Sequence, residues 1–111
     1  MTSHLSTHVL DATAGGPAIG IDVVLERRQE AGWVQVASGT TDADGRIGDL
    51  GPGQLPPDTY RLTFAVASYF AARETASFYP EITVTFEVEG ADHYHVPLLL
   101  SPYAYSTYRG T

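Results

Sequence analysis

Strict alternation of apolar and polar residues is the feature that most constrains the fold of this chain. The clearest case is ITVTFEV at 82–88, and the segments 19–26 and 60–66 repeat its pattern. Successive side chains of a β-strand point to opposite faces, so a period of two predicts strands with one buried face. Turn-forming sequences separate these segments, at 14–18, 30–33, 42–45, 51–58 and 89–92. Short strands at this spacing are typical of a β-sandwich or a barrel.

One segment lacks the alternation. The stretch at 68–78 reads SYFAARETASF and is rich in good helix formers. We predict one short helix there, ended by Pro80. The sequence as a whole predicts an all-β sandwich of seven or eight strands with one short helix, formed by residues 1–111 as a single domain.

Composition and charge exclude several classes of function. The chain has 111 residues, no cysteine and a net charge of −7. A chain of this length buries about two-thirds of its unfolded surface, so it needs neither a disulfide nor a structural metal. The acidic charge argues against nucleic acid as a partner. Neither an apolar stretch of about 20 residues nor a signal peptide is visible, so we expect a cytoplasmic protein with no membrane partner.

Two pairs of histidines are the first candidates for chemistry. His4 and His8 share a face of the predicted first strand, and His93 and His95 share a face of a late strand. Histidine titrates near neutral pH, so His8 and His95 could act as a general acid and base. They could also be structural side chains on a polar face. A metal site is disfavoured, because no further histidine or aspartate-rich motif supplies the remaining ligands.

The stretch TDADGRIGDL at 41–50 has two possible interpretations. Its aspartates and Gly45 mimic part of a calcium loop, but Gly51 then falls where a bidentate glutamate is required, so we predict no calcium site. The alternative is a tight Asp-Gly turn with Arg46 at the start of the next strand. Arg46 could be a solvated edge charge or an anchor for an anionic or carbonyl-rich ligand. No G-x-S-x-G motif supports a covalent serine mechanism.

Three stretches together resemble the 5-hydroxyisourate hydrolase family, the transthyretin-related enzymes of urate breakdown. They are LSTHVLDATAGGPA at 5–18, DGR at 44–46 and HYHVPLLLSPYAYSTYRGT at 93–111. With SYF at 68–70, the resemblance covers nearly the whole chain. Transthyretin proper, the hormone carrier, shares the fold and the LSPYxYST segment but lacks this ending. The runner-up function is therefore a non-catalytic small-ligand carrier of the transthyretin type.

The resemblance implies both an assembly and a reaction. The assembly is a homotetramer of transthyretin-like sandwiches, a dimer of dimers with a channel through it. The reaction opens the lactam of 5-hydroxyisourate to give 2-oxo-4-hydroxy-4-carboxy-5-ureidoimidazoline, and it needs no cofactor.

The resemblance also assigns site residues. The catalytic roles map onto His8, Arg46 and His95. One neutral histidine would orient or deprotonate water, Arg46 would stabilise charge on oxygen, and His95 would position substrate or pass a proton to the departing nitrogen. Which histidine is the base stays open. The substrate pocket is expected to be lined by these three residues and by Tyr108, Arg109, Gly110 and Thr111, the last in place of the usual terminal serine.

Overall fold

The computed structural model describes residues 4–111, so the first three residues of the predicted domain lie outside it. Within that range there are seven strands of four or more residues, two strands of two residues and one helix. The strands are β1 (Leu5–Asp11), β2 (Gly16–Pro17), β3 (Asp22–Gln29), β4 (Gly32–Thr40), β5 (Arg46–Ile47), β6 (Asp58–Phe64), β7 (Ile82–Val88), β8 (Tyr94–Ser101) and β9 (Ala104–Thr107). The helix α1 (Val66–Ala72) connects β6 to β7. The predicted all-β sandwich is confirmed.

The strands form two sheets. The first sheet has the order β2-β1-β8-β9, with β5 also paired to β1, and the second sheet has the order β4-β3-β6-β7. Strands β1 and β8 are parallel, whereas the other paired strands are antiparallel. The first sheet therefore places the first strand beside a late one, because β1 lies next to β8 along its whole length.

The core lies between the sheets and is formed by the apolar side chains of the alternating segments. Val23 and Leu25 of β3 and Leu62 and Phe64 of β6 are all fully buried, and burying each such side chain contributes about 1.5–3 kcal/mol. Ile19 was predicted on the same face but is 49% exposed. Strand β3 begins only at Asp22, after Gly20 has turned the chain with a φ of +84°.

The helix begins earlier and ends earlier than predicted. Val66, assigned to a strand from the alternation, is buried as the first residue of α1. The helix ends at Ala72 because the next two N–H groups bond to carbonyls three residues back, and Glu74 then adopts a φ of +52°. Residues 73–78 are therefore not helical.

A hydrogen bond on the buried face of α1 explains where the helix lies. Its Tyr69 hydroxyl donates a 2.8 Å hydrogen bond to the buried Asp11 carboxylate at the end of β1. Burial, followed by this bond, raises the pKa of Tyr69 to about 12. The helix is thus fixed to the first sheet at the end opposite the histidines. Within residues 4–111 it is too short to cross a membrane.

Candidate active site

A cavity of about 400 Å³ opens on the first sheet, on the side away from the core. We call it the histidine cavity; its lining residues are Ser6, Thr7, Arg46, Gly48, His93, His95 and Thr111. Three elements and the chain terminus meet there. Strand pairing sets this meeting, since Ser6 of β1 lies opposite His95 of β8, and His8 lies opposite Arg46 of β5.

His95 is held by a buried serine hydroxyl. Its Nδ1 lies 2.8 Å from the Oγ of Ser6, and the same Oγ lies 2.8 Å from Nε2 of His93. Burial lowers the pKa of His95, and the positive charge of Arg46 and the neighbouring His8 and His93 lower it further. The neutral imidazole is therefore the favoured form at neutral pH, as a general base or hydrogen-bond acceptor requires.

Arg46 is positioned by the tight turn before it, as predicted. The N–H of Gly45 donates to the carbonyl of Asp42, whose carboxylate accepts hydrogen bonds from the N–H groups of Asp44 and Arg46. These two backbone bonds, that from Arg46 first, lower the pKa of Asp42. Gly45 has a φ of +74°, and a Cβ there would collide with the carbonyl of Val9 in β1. Glycine is thus required for the turn to lie against β1.

His8 lies beside this turn. Its Nε2 is 2.9 Å from the carbonyl oxygen of Asp44, an interaction in which the ring donates. The ring therefore carries a proton on Nε2 in this arrangement. His8 is half-buried and adjoins the histidine cavity through its partner Arg46.

The C-terminal residues divide between two cavities. Gly110 donates a 2.7 Å hydrogen bond to the carbonyl of His95, and Thr111 lines the histidine cavity. Tyr108 and Arg109 instead line a second cavity of about 290 Å³ between β7 and the end of the chain, which we call the edge cavity. The structure thus brings two of the four predicted tail residues to the histidines.

Contacts beside the edge cavity also hold residues 108–111, the tail, in place. The Arg109 guanidinium lies 4.5 Å from the centroid of the Tyr94 ring, a cation–π contact. Gly110 then passes so close to His95 that a Cβ would lie 2.5 Å from the Cδ2 of that ring. These contacts order the chain end over the histidine.

His4 belongs to the core and not to the cavity. It precedes β1 and is only 3% exposed. Its Nδ1 accepts a hydrogen bond from the N–H of Leu55, and its ring packs edge-on against Tyr94. It is therefore a structural histidine. Within residues 4–111, no group of three or more histidine, aspartate or glutamate side chains is arranged to hold a metal ion.

Ser6 is the site residue that sequence reasoning missed. No G-x-S-x-G motif surrounds it, so the sequence did not single it out. The available signal was its position two residues before His8, which places both on one face of β1.

A two-sheet sandwich with two histidines and an arginine around an open cavity defines a small β-protein with a candidate hydrolytic site. Residues 5–110 match the HIUase/Transthyretin family, and the chain belongs to it. The predicted family is confirmed.

Individual relatives agree with this assignment. The chain is 49% identical over 109 residues to a 5-hydroxyisourate hydrolase of Salmonella dublin, covering 96% of this chain and 80% of that protein. The structure of Klebsiella pneumoniae 5-hydroxyisourate hydrolase is 37% identical with a TM-score of 0.86, and each chain is covered completely. Sea bream transthyretin in complex with thyroxine is 34% identical with a TM-score of 0.89, covering 96% of this chain and 94% of that one.

Proposed function

We propose that this protein hydrolyses 5-hydroxyisourate in the histidine cavity. The relatives named as 5-hydroxyisourate hydrolases support the activity over nearly the full chain. The observation that carries the assignment of the site is the convergence of Arg46, His8 and His95. These residues come from three strands and lie together on one side of one sheet.

The reaction adds water across the cyclic amide. The oxygen of water bonds to the carbonyl carbon and one of its protons passes to a histidine. The carbon–nitrogen bond then breaks, the nitrogen receives that proton, and the new carboxylic acid releases the second proton of water to become a carboxylate. Arg46 stabilises the negative charge that develops on the carbonyl oxygen, because its planar fork of N–H donors lines the cavity and suits a carbonyl or carboxylate oxygen.

The neutral state of His95 fits the role of proton acceptor, since its lowered pKa favours the ring with a lone pair on one nitrogen at neutral pH. His8 donates to Asp44 through Nε2, so Nδ1 is the ring nitrogen that would contact water or substrate. Thr111 lines one side of the cavity. The chemistry uses no cofactor.

We propose a homotetramer, a dimer of dimers, as the working form. Large apolar side chains near β9 are exposed in the single chain: Phe78 is 70% exposed, Tyr103 64% and Tyr105 42%. The rings of Tyr79 and Tyr105 touch at 5.1 Å between centroids, so these residues form one aromatic patch. Strand β9 pairs only with β8 within residues 4–111, and such an edge favours pairing with another chain.

A carrier without catalytic activity is the second candidate, because the likeness to the sea bream transthyretin is as close in fold as that to the hydrolase. Fold similarity does not separate the two functions. The paired histidines and Arg46 favour the enzyme, since a carrier does not need groups that transfer protons.

One absorbance assay separates these functions. Urate oxidase generates 5-hydroxyisourate from urate, and the decay of its absorbance is followed with and without this protein. We expect the protein to accelerate the decay in proportion to its concentration. A decay rate equal to that of the buffer control, with the protein folded, would favour the carrier.

A further inference from the structure

The hydroxyl of Ser6 joins two histidines from one chain segment, His93 just before β8 and His95 within it. Its Oγ lies 2.8 Å from Nε2 of His93 and 2.8 Å from Nδ1 of His95. Ser6 is only 9% exposed, so water does not readily replace either partner. A hydroxyl has one proton. It can therefore donate to only one of these nitrogens and must accept a hydrogen bond from the other.

Two arrangements satisfy this requirement when both rings are neutral. In one, Nδ1–H of His95 donates to Ser6, and Ser6 donates to Nε2 of His93. In the other, Nε2–H of His93 donates to Ser6 and Ser6 donates to Nδ1 of His95. His95 then carries its proton on Nε2. The two arrangements differ in the atom that His95 presents to the cavity: a lone pair in the first and an N–H in the second.

The charges around His95 favour the first arrangement. The groups that face it are Arg46 from β5, His8 from β1 and His93 from its own chain segment, and Thr111 lines the same cavity. Arg46 and His95 line the same cavity, while Nδ1 of His95 points to Ser6. A lone pair on Nε2 is attracted to the guanidinium, whereas an N–H there is repelled.

We propose that Ser6 and His93 are positioning residues for His95: Ser6 holds the tautomer with the proton on Nδ1, and His93 accepts the proton displaced through Ser6 during hydrolysis. This inference rests on the proposed function for its kinetic part only.

The proton transfers balance. Nε2 of His95 takes a proton from the attacking water, and the ring becomes positively charged. Its Nδ1 proton then passes to Ser6 as the hydroxyl proton of Ser6 passes to Nε2 of His93. His95 is now neutral with a proton on Nε2, His93 carries the charge, and Nε2 of His95 can protonate the departing nitrogen. As Nε2 of His95 gives its proton to the departing nitrogen, the Nε2 proton of His93 passes to Ser6 and the hydroxyl proton of Ser6 passes to Nδ1 of His95. This restores the starting state with both rings neutral.

The first test is spectroscopic and needs no substrate. Long-range ¹H–¹⁵N spectra of the histidine rings show which nitrogen carries the proton. In the wild-type protein at neutral pH we expect it on Nδ1 of His95. Ser6→Ala removes the hydroxyl that accepts from this N–H and leaves only the backbone of residue 6 as a partner, so we expect the proton to move at least partly to Nε2. A wild-type proton on Nε2, or an identical spectrum in Ser6→Ala, would overturn the tautomer assignment.

The second test is kinetic and separates the two residues. His93→Gln keeps a hydrogen-bonding group near the position of Nε2 but cannot accept a proton. We expect kcat to fall about tenfold or more in Ser6→Ala and in His93→Gln, with KM within about threefold of wild type. Only Ser6→Ala should change the tautomer of His95.

Ser68→Ala is the matched control. Its hydroxyl is hydrogen-bonded to the Ala65 carbonyl on α1, away from the histidine cavity, so its loss should leave kcat unchanged. A His93→Gln variant with wild-type kcat would overturn the proton-sharing role even if Ser6→Ala is slow. If the wild-type protein shows no turnover, the proposed function fails, and the spectra still decide the tautomer.

Discussion

At the scale of single residues, His95 is defined by what surrounds its ring. One nitrogen is bound to Ser6, the Cδ2 edge lies under Gly110, and Arg46 shares the cavity. Each of these contacts disfavours a second proton on the ring or fixes its orientation. A histidine in this environment is neutral before the reaction and can accept a proton during it.

The pKa of His95 can be measured directly. By NMR titration we expect a midpoint below the ordinary value of 6.5, because burial and the charge of Arg46 disfavour the imidazolium. The folded state then binds this proton less readily than the unfolded chain. Its contribution to the free energy of unfolding is present above pH 6.5 and is lost as the pH falls through the window below. Arg46→Gln should move the midpoint partway back up, and a wild-type midpoint above 6.5 would contradict this account.

Loss of either catalytic histidine should slow turnover without unfolding the protein. We expect His8→Ala and His95→Ala each to lower kcat/KM by about 10²–10⁴-fold, the usual effect of a positioned acid or base. Melting temperatures near that of wild type would show that the fold is intact, since both rings lie outside the core. If His93→Ala proved more damaging than His95→Ala, the wrong member of the pair would have been assigned.

The candidate site residues could be read from the sequence because their flanking stretches are long and specific. Ser6 could not be read in this way. Its role depends on the parallel register of β1 and β8, which brings residue 6 beside residue 95, and no local pattern encodes that pairing. The division of residues 108–111 between the two cavities also depends on a contact between residues distant in sequence, Arg109 and Tyr94.

At the scale of elements, the alternation predicted the strands well and their limits less well. Strands β3, β6 and β7 follow the period of two, but Gly20 and the start of α1 at Val66 set ends that hydrophobicity does not show. Tertiary contacts also determine where the helix α1 begins. The bond of Tyr69 to Asp11 favours a helix that starts before the alanine-rich segment.

The approach of the tail to β8 gives a prediction for one glycine. Gly110→Ala should push the chain end away from His95, because the new Cβ would lie 2.5 Å from Cδ2 of its ring. We expect kcat/KM to fall about tenfold or more, or about 1.4 kcal/mol of transition-state stabilisation, with little change in melting temperature.

Gly90→Ala is the matched control, because a Cβ there meets no atom within 4 Å. Its kcat/KM and melting temperature should equal those of wild type. A fully active Gly110→Ala variant would show that the position of the tail does not matter for turnover.

At the scale of the whole molecule, the exposed aromatic patch predicts assembly. Phe78 is 70% exposed in the single chain, so a charge there costs a monomer little, whereas at a subunit interface it would be buried. We expect Phe78→Asp to dissociate the proposed tetramer, as measured by light scattering. Val34→Asp is the control, since Val34 is 53% exposed on β4, the far edge of the second sheet. A wild-type monomer, or a tetrameric Phe78→Asp variant, would contradict the proposed interface.

The central claim is that hydrolysis occurs beside Arg46, and one substitution tests it most directly. Arg46→Lys keeps the charge but loses the planar fork of donors, so kcat/KM for 5-hydroxyisourate should fall about a hundredfold or more. Arg28→Lys, at an arginine bound to Thr59 in the second sheet, should retain wild-type activity. If Arg46→Lys instead stays within a few-fold of wild type, Arg46 is a surface charge and the histidine cavity is not the site of the reaction.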